Sequence, residues 1–271
     1  MQKLKTSLVA ACFAALGFSV EAQVESLDGV VKAHVIPGWR AADGSHIAAL
    51  HLELGAGWKT YWRAPGDAGI PPRFNWHGST NLSGVQVEWP MPKQIPQGRY
   101  MTIGYDAPVT LPLRIMPSKH GKQVVLQGQI DLGVCREVCV PVTVSVAQAL
   151  PNSKGKRDPS IVAALASRPH SASEAGVSGI SCRLSPIEDG LKLSAIIAVP
   201  SQGAREVTIF EAGDPNIWVA PSTSQRTGGK IVAETTMHHA SGKSFALQRS
   251  DVRITVLGQG RAVEIQGCPA G

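Results

Sequence analysis

Residues 127–146 read QGQIDLGVCREVCVPVTVSV. Ile130, Leu132 and Val134 share one parity, while Gln127, Gln129, Asp131, Gly133 and Cys135 share the other. Beyond the second cysteine, Val140, Val142, Val144 and Val146 alternate with Cys139, Pro141, Thr143 and Ser145. Alternation of period two marks strands with one buried and one solvated face. Only Arg136, Glu137 and Val138 separate the cysteines, a common hairpin loop length. The stretch therefore reads as a β-hairpin with both cysteines on its polar face. Cys135 and Cys139 are expected to lie opposite each other, about 4.5–5.5 Å apart at Cα. A disulfide can close over that distance.

A disulfide around so small a loop adds little entropic stabilisation. It offers instead a bond open to an attacking thiolate. Cys135 and Cys139 are thus expected to be a redox-active or metal-binding pair. One alternative is a structural staple in an exported protein. Another is a Cu(I) site on the same two thiolates. A zinc site wants four ligands, and no second cysteine pair or histidine cluster lies nearby in sequence. His120, after Lys119, reads as a loop residue.

Residues 1–22 have the pattern of a secretory signal peptide. Lys3 and Lys5 precede an apolar run, and Val20-Glu21-Ala22 offers small residues for cleavage after Ala22. The apolar run is too short for a typical membrane span, and no stable membrane insertion is expected of the mature chain. Removal of Cys12 leaves Cys135, Cys139, Cys182 and Cys268. Four cysteines allow three connectivities, and spacing favours Cys135–Cys139 with Cys182–Cys268. Glycine (28) and proline (19) are frequent and charge is modest at 17%, which suits turn-rich β structure. The net charge of +6 comes from scattered basic residues, so nucleic-acid binding is not expected.

Short alternating segments recur along the chain. Val31 and His46 open two of them, and residues 85–89, 109–115 and 124–134 follow. Residues 57–76 (GWKTYWRAPGDAGIPPRFNW) are dense in Trp, Tyr, Pro and Gly. Pro71-Pro72 exclude a helix interior or a central strand there, and Trp58, Tyr61, Trp62 and Trp76 either pack in the core or line a surface site. Residues 93–105 (KQIPQGRYMTIGY) lack a sustained pattern and read as a loop. About seven short strands with turn signals point to an immunoglobulin-like sandwich over residues 23–150. Residues 151–176 read as a linker. Within it Asp158-Pro159 supplies an N-cap and a first-turn proline for a short helix. Strand signals resume over residues 177–271, giving a second β-sandwich. The fold class is all-β: two antiparallel sandwiches joined by a linker with a short helix. Cys182 shares parity with Ile180 and Leu184 and faces inward, so a bond to Cys268 reads as structural. His238-His239 reads as a loop pair. No nucleotide-binding glycine loop, hydrolase elbow or paired-carboxylate motif occurs, and no cofactor or metal is expected.

The segments GWKTYWRAPGDAGIPPRFNW, LSGVQVEWPMPKQI, IGYDAPVTLPL and DLGVCREVCVPVTVSV occur in this order. Together they resemble the N-terminal periplasmic domain of the DsbD / suppressor-of-copper-sensitivity family. The resemblance implies an immunoglobulin-like domain whose Cys135/Cys139 pair cycles between dithiol and disulfide. It implies a periplasmic thiol–disulfide oxidoreductase that relays electrons. The donor would be a membrane-embedded thiol reductase of the DsbD/CcdA type, and the clients periplasmic thioredoxin-like proteins. It also implies aromatic shielding of the disulfide, by Trp58 and Tyr61 and by a cap over residues 96–105 that holds Tyr100 and Tyr105. Two departures stand out. The cysteines of DsbD are farther apart in sequence, and DsbD fuses further domains to this one. The residues leave open which cysteine attacks, since Arg136 favours a nearby thiolate and Glu137 opposes it.

Overall fold

The computed structural model describes residues 25–27, 29–152 and 154–271. The expected signal peptide, with Cys12 and Ala22, lies outside the described residues. None of the described helices is long and apolar enough to cross a membrane.

Among the described residues up to Leu150, all regular secondary structure is strand. They are β1 (Glu25–Leu27), β2 (Val31–Arg40), β3 (His46–Leu54), β4 (Lys59–Gly66), β5 (Arg73–Asn75) and β6 (Leu82–Val87). Then come β7 (Lys93–Gln97), β8 (Tyr100–Tyr105), β9 (Val109–Pro117), β10 (Val124–Cys135) and β11 (Cys139–Leu150). One sheet runs β1-β2-β3-β9-β6, and the other runs β11-β10-β4-β8-β7 with β5 on the flank of β10. Their inner faces interleave Leu50, Leu52, Trp62, Leu111, Leu113, Leu126, Ile130 and Leu132, all at most 1% exposed. Burial of such side chains is worth roughly 1.5–3 kcal/mol each, and it fixes the register of the β10–β11 hairpin.

One stretch expected as a loop is a strand hairpin, and the aromatic-rich stretch before it also contains strands. Residues 93–105 form the β7–β8 hairpin, in which Gln97 pairs with Tyr100. Within 57–76, β4 enters the sheet between β10 and β8. The tryptophans there obscured a period of two. Trp58 and Trp62 pack on the inter-sheet core, while Tyr61 lies on the opposite face.

Helix α1 (Pro159–Ala166) follows the linker. Asp158 caps it, accepting from the N–H groups of Ser160 and Ile161. Its buried Ile161 packs with Ile47 and Ala49, which docks the helix on the first sandwich. The second sandwich contains β12 (His170–Ser171), β13 (Gly179–Ile187), β14 (Gly190–Ala198), β15 (Val207–Glu211) and β16 (Ile217–Val219). It is completed by β17 (Thr223–Thr227), β18 (Lys230–His239), β19 (Arg253–Leu257) and β20 (Ala262–Gln266). One sheet runs β12-β20-β19-β15, the other β13-β14-β18-β16 with β17 beside β18. Among the described residues, all pairings between the named strands of this sandwich are antiparallel except β12 with β20. His238 and His239 end β18 rather than standing in a loop.

The two sandwiches share a packed junction. Leu257 and Ala262 of the second belong to the hydrophobic core of the first. Arg63 on β4 donates to both carboxylate oxygens of Glu211, at 2.9 and 3.1 Å, and also to Glu264. The Gln94 side chain donates to the carbonyl of Arg205 at 2.6 Å and to that of Leu257 at 3.2 Å.

Candidate functional site

Cys135 ends β10 and Cys139 begins β11, and the two are direct cross-strand partners. They form a disulfide with a Cα–Cα distance of 4.1 Å, slightly closer than a regular ladder pair. Parity places both cysteines away from the inter-sheet core. That face is nonetheless not solvated here. Cys135 is 0% exposed, and Cys139 is half-buried. The expectation of two cysteines on an open polar face is therefore corrected. The polar face of the hairpin is covered at its tip.

The cover has three parts. Tyr61 is 1% exposed, and its hydroxyl lies 3.1 Å from Cys139 Sγ. Its ring packs against Gly133: a Cβ built there would sit 2.9 Å from Tyr61 Cδ2 and 2.6 Å from Ile70 Cβ. Only glycine admits the ring at this point. Ile70, the second part, sits on a loop between β4 and β5. Gln97 is the third. At the end of β7, its amide Nε2 lies 3.2 Å from Cys135 Sγ and 3.7 Å from Cys139 Sγ.

Three other expected shielding residues lie elsewhere. Trp58 faces the inter-sheet core, and the Arg136 guanidinium stands 5.4 Å from its ring, so it braces the hairpin turn. Tyr105 is part of the core, with its hydroxyl donating to the Pro90 carbonyl at 2.8 Å. Burial pushes its pKa far above the ordinary phenol value. Tyr100 is 42% exposed, at the tip of the β7–β8 hairpin, with Arg99 against its ring. The residue of that hairpin that reaches the disulfide is Gln97. Its signal was the Gln-Gly-Arg-Tyr turn, hidden by the reading of 93–105 as a loop.

Lys59 also belongs to the site and was missed. It pairs directly with Cys135 across β10 and β4. The alternation Trp58, Thr60, Trp62 inward and Lys59, Tyr61, Arg63 outward identifies it once β4 is seen as a strand. Burial lowers the Lys59 pKa and raises that of Tyr61. Both groups are thereby held in their neutral forms more readily than in water.

Chemically, the arrangement is a disulfide with donor groups aimed at both sulfurs. A hydroxyl and an amide N–H that touch sulfur stabilise a thiolate formed there, because hydrogen bonds to the charged form favour it. The second disulfide differs. Cys182 and Cys268 are 3% and 1% exposed, 5.5 Å apart at Cα and 86 residues apart in sequence. Among the polar groups nearby, Arg249 donates to the carbonyls of both cysteines and not to their sulfurs.

A covered hairpin disulfide of this kind can be compared with known proteins. Residues 32–151 match the family described as thiol:disulfide interchange protein DsbD, N-terminal. The first sandwich is a DsbD N-terminal domain. The match ends with β11 and leaves the second sandwich outside it. The Cys135–Cys139 disulfide lies within the matched residues. Among solved structures, the N-terminal periplasmic domain of ScsB from Proteus mirabilis is similar in fold. It matches with a TM-score of 0.68 at 18% identity, over 92% of this chain and 98% of that one. The likeness therefore includes both sandwiches. No curated protein sequence matches the chain.

Proposed function

We propose that the chain is a periplasmic electron relay that works by thiol–disulfide exchange at Cys135 and Cys139. The single observation that carries this reading is the asymmetric cover of the disulfide. Cys135 is fully enclosed, whereas Cys139 is half-buried with its sulfur against a hydroxyl. An incoming thiolate therefore meets Cys139 first. Membership of the first sandwich in the DsbD family supports the same reading.

The steps balance as follows. A thiolate of the donor attacks Cys139 Sγ, the Cys135–Cys139 bond breaks, and Cys135 leaves as a thiolate. A mixed disulfide now joins the donor to Cys139. The donor's second thiolate attacks its own bonded sulfur and expels the Cys139 thiolate. Two electrons have then passed to the pair, and the donor is a disulfide. In the second half, the Cys139 thiolate attacks the disulfide of a client, and Cys135 closes on Cys139 to release the client as a dithiol. The donor is taken to be a membrane-embedded thiol reductase, and the clients periplasmic thioredoxin-like proteins. Cys182–Cys268 acts as a structural closure. In the chain-entropy picture its loop contributes about 4–5 kcal/mol.

The test is trapping. Reduced Cys135→Ser chain mixed with an oxidised thioredoxin-like protein stalls as a mixed disulfide at Cys139, visible as a shifted band lost on reduction. The Cys139→Ser chain gives little of this adduct. Equal trapping by the two variants, or none by either, contradicts the assignment.

A further inference from the structure

Lys59 and Cys135 are direct partners across β4 and β10. Opposite residues of an antiparallel pair project to the same face, with Cβ atoms about 4.5–5.5 Å apart. Lys59 is 8% exposed, which is rare for a lysine without a counter-ion. The ten ion pairs among the described residues do not include it. It has no hydrogen-bonded acceptor among them either. The molecule thus keeps a cation with no anion beside the buried sulfur of its disulfide.

The other charged groups on the surrounding elements are engaged or turned outward. In the turn, Arg136 lies over Trp58 and Glu137 is exposed. In the covering loop, the Asp67 carboxylate accepts from the Met101 N–H at 2.7 Å. On the β7–β8 hairpin, Arg99 lies over Tyr100, and Gln97 is neutral. On β4 itself, Tyr61 is neutral and its hydroxyl meets the other sulfur, Cys139 Sγ.

We propose that Lys59 is the electrostatic partner of the Cys135 thiolate, placed to receive the negative charge released when the Cys135–Cys139 bond breaks. The proposal rests on the exchange reading above and goes beyond it, because it names what tunes the leaving sulfur. In the oxidised chain the ammonium is buried without an anion, which is costly. In the reduced chain the thiolate supplies that anion. A nearby cation lowers a thiol pKa. Stabilising the reduced form makes the disulfide easier to reduce, so Lys59 raises the reduction potential of the pair. Lys59 and Gln97 then act on Cys135, and Tyr61 acts on Cys139.

Two variants of the full chain test this. Lys59→Met keeps the buried stem and removes the charge, while Lys59→Arg keeps the charge. Thiolate absorbance is titrated against pH in the reduced proteins, and the glutathione equilibrium is read by alkylation and mass spectrometry. Lys59→Met should raise the apparent thiol pKa and shift the equilibrium about tenfold toward the disulfide, equivalent to about 30 mV for a two-electron couple. Lys59→Arg should stay within about twofold of the parent, as expected when charge rather than shape is the cause. A Lys59→Met chain that titrates like the parent, or two variants shifted alike, overturns the proposal. If the parent pair does not equilibrate with glutathione at all, the exchange reading itself fails. Should Lys59→Met not fold, the Lys59 side-chain pKa in the parent decides by NMR. It should be higher in the reduced chain than in the oxidised one, and equal values overturn the proposal.

Discussion

The hydroxyl of Tyr61 lies 3.1 Å from the sulfur of Cys139, and the ring behind it rests on Gly133. One side chain thus both covers the disulfide and offers a donor to the sulfur that an incoming thiolate reaches first. Tyr61→Phe separates these roles. It keeps the ring and removes a hydrogen bond worth about 1 kcal/mol. The reduced variant should react with oxidised glutathione about fivefold more slowly at pH 7, with its melting temperature nearly unchanged. Stopped-flow kinetics beside a thermal melt check both halves. An unchanged rate would remove the hydroxyl from the mechanism.

Gly133→Ala should disturb the cover from beneath. The added Cβ would approach Ile70 and Tyr61 at 2.6 and 2.9 Å, closer than real Cβ contacts allow. Overpacking of this kind costs about 1–3 kcal/mol. Displacement of the cover should also speed reduction of Cys135–Cys139 by dithiothreitol. Urea unfolding and timed alkylation read the two effects. Reduction no faster than in the parent would mean that the cover does not limit access.

Arg63 ties β4 to the second sandwich through Glu211 and Glu264. Its side chain is only 13% exposed. Arg63→Met leaves two half-buried carboxylates with Arg253 alone for company. Loss of one partner from a largely buried cluster is costly, though partial exposure screens it. A fall of about 1–3 kcal/mol in unfolding free energy is expected, measurable in urea. Because β4 also carries Lys59 and Tyr61, the same variant should alter the kinetics of the distant disulfide.

Stability should fall as pH drops through the mildly acidic range. His46 is 1% exposed. Burial pushes its pKa down, outweighing its bond to the Pro37 carbonyl, and Arg40 pushes it further down. His51 is lowered as well, by burial first and then by its neighbour His34. Both folded values lie below the unfolded value of about 6.5. Below that value the unfolded chain binds protons that the folded chain refuses, so stability is full above it and is lost as pH falls beneath it. Thermal melts should be flat from about pH 8 to 7 and decline toward pH 5.5. NMR titration should find His46 still neutral near pH 6.5. A melting temperature that rises over this range would contradict the assignment.

Much of this architecture was legible in the residues because strands announce themselves by period two. The hairpin register and the facing of Cys135 and Cys139 follow directly from Ile130, Leu132 and Val134 against Gln129, Asp131 and Gly133. Asp158-Pro159 likewise announced the helix. Burial of the cysteines was not legible in their parity, and only the resemblance pointed to a cover and to Tyr61 in it. Parity tells which residues leave the inner core, and says nothing of a second layer folded over the outer face. That layer comes from Tyr61, Ile70 and Gln97, which are 38 to 74 residues upstream of Cys135 and lie in stretches rich in proline and glycine. There Trp58 and Trp62, just before and within β4, blurred the alternation. Trp58 drew attention as a large aromatic ring, whereas its neighbours Lys59 and Tyr61 are the residues on the sulfur side. The role of Tyr105 was misjudged for the same reason, since a tyrosine near a cap reads like a shield until its hydroxyl is found on Pro90.

The central claim is that one disulfide cycles and the other does not. The direct measurement is a redox titration of the purified protein in glutathione and dithiothreitol buffers, with each cysteine scored by alkylation and mass spectrometry. The account predicts that Cys135 and Cys139 equilibrate reversibly at a potential well above about −300 mV, the upper end of the structural range. Cys182 and Cys268 should stay oxidised under the same conditions. If the hairpin pair resists reduction as firmly as Cys182–Cys268, the molecule is a disulfide-stapled β protein and the relay is wrong.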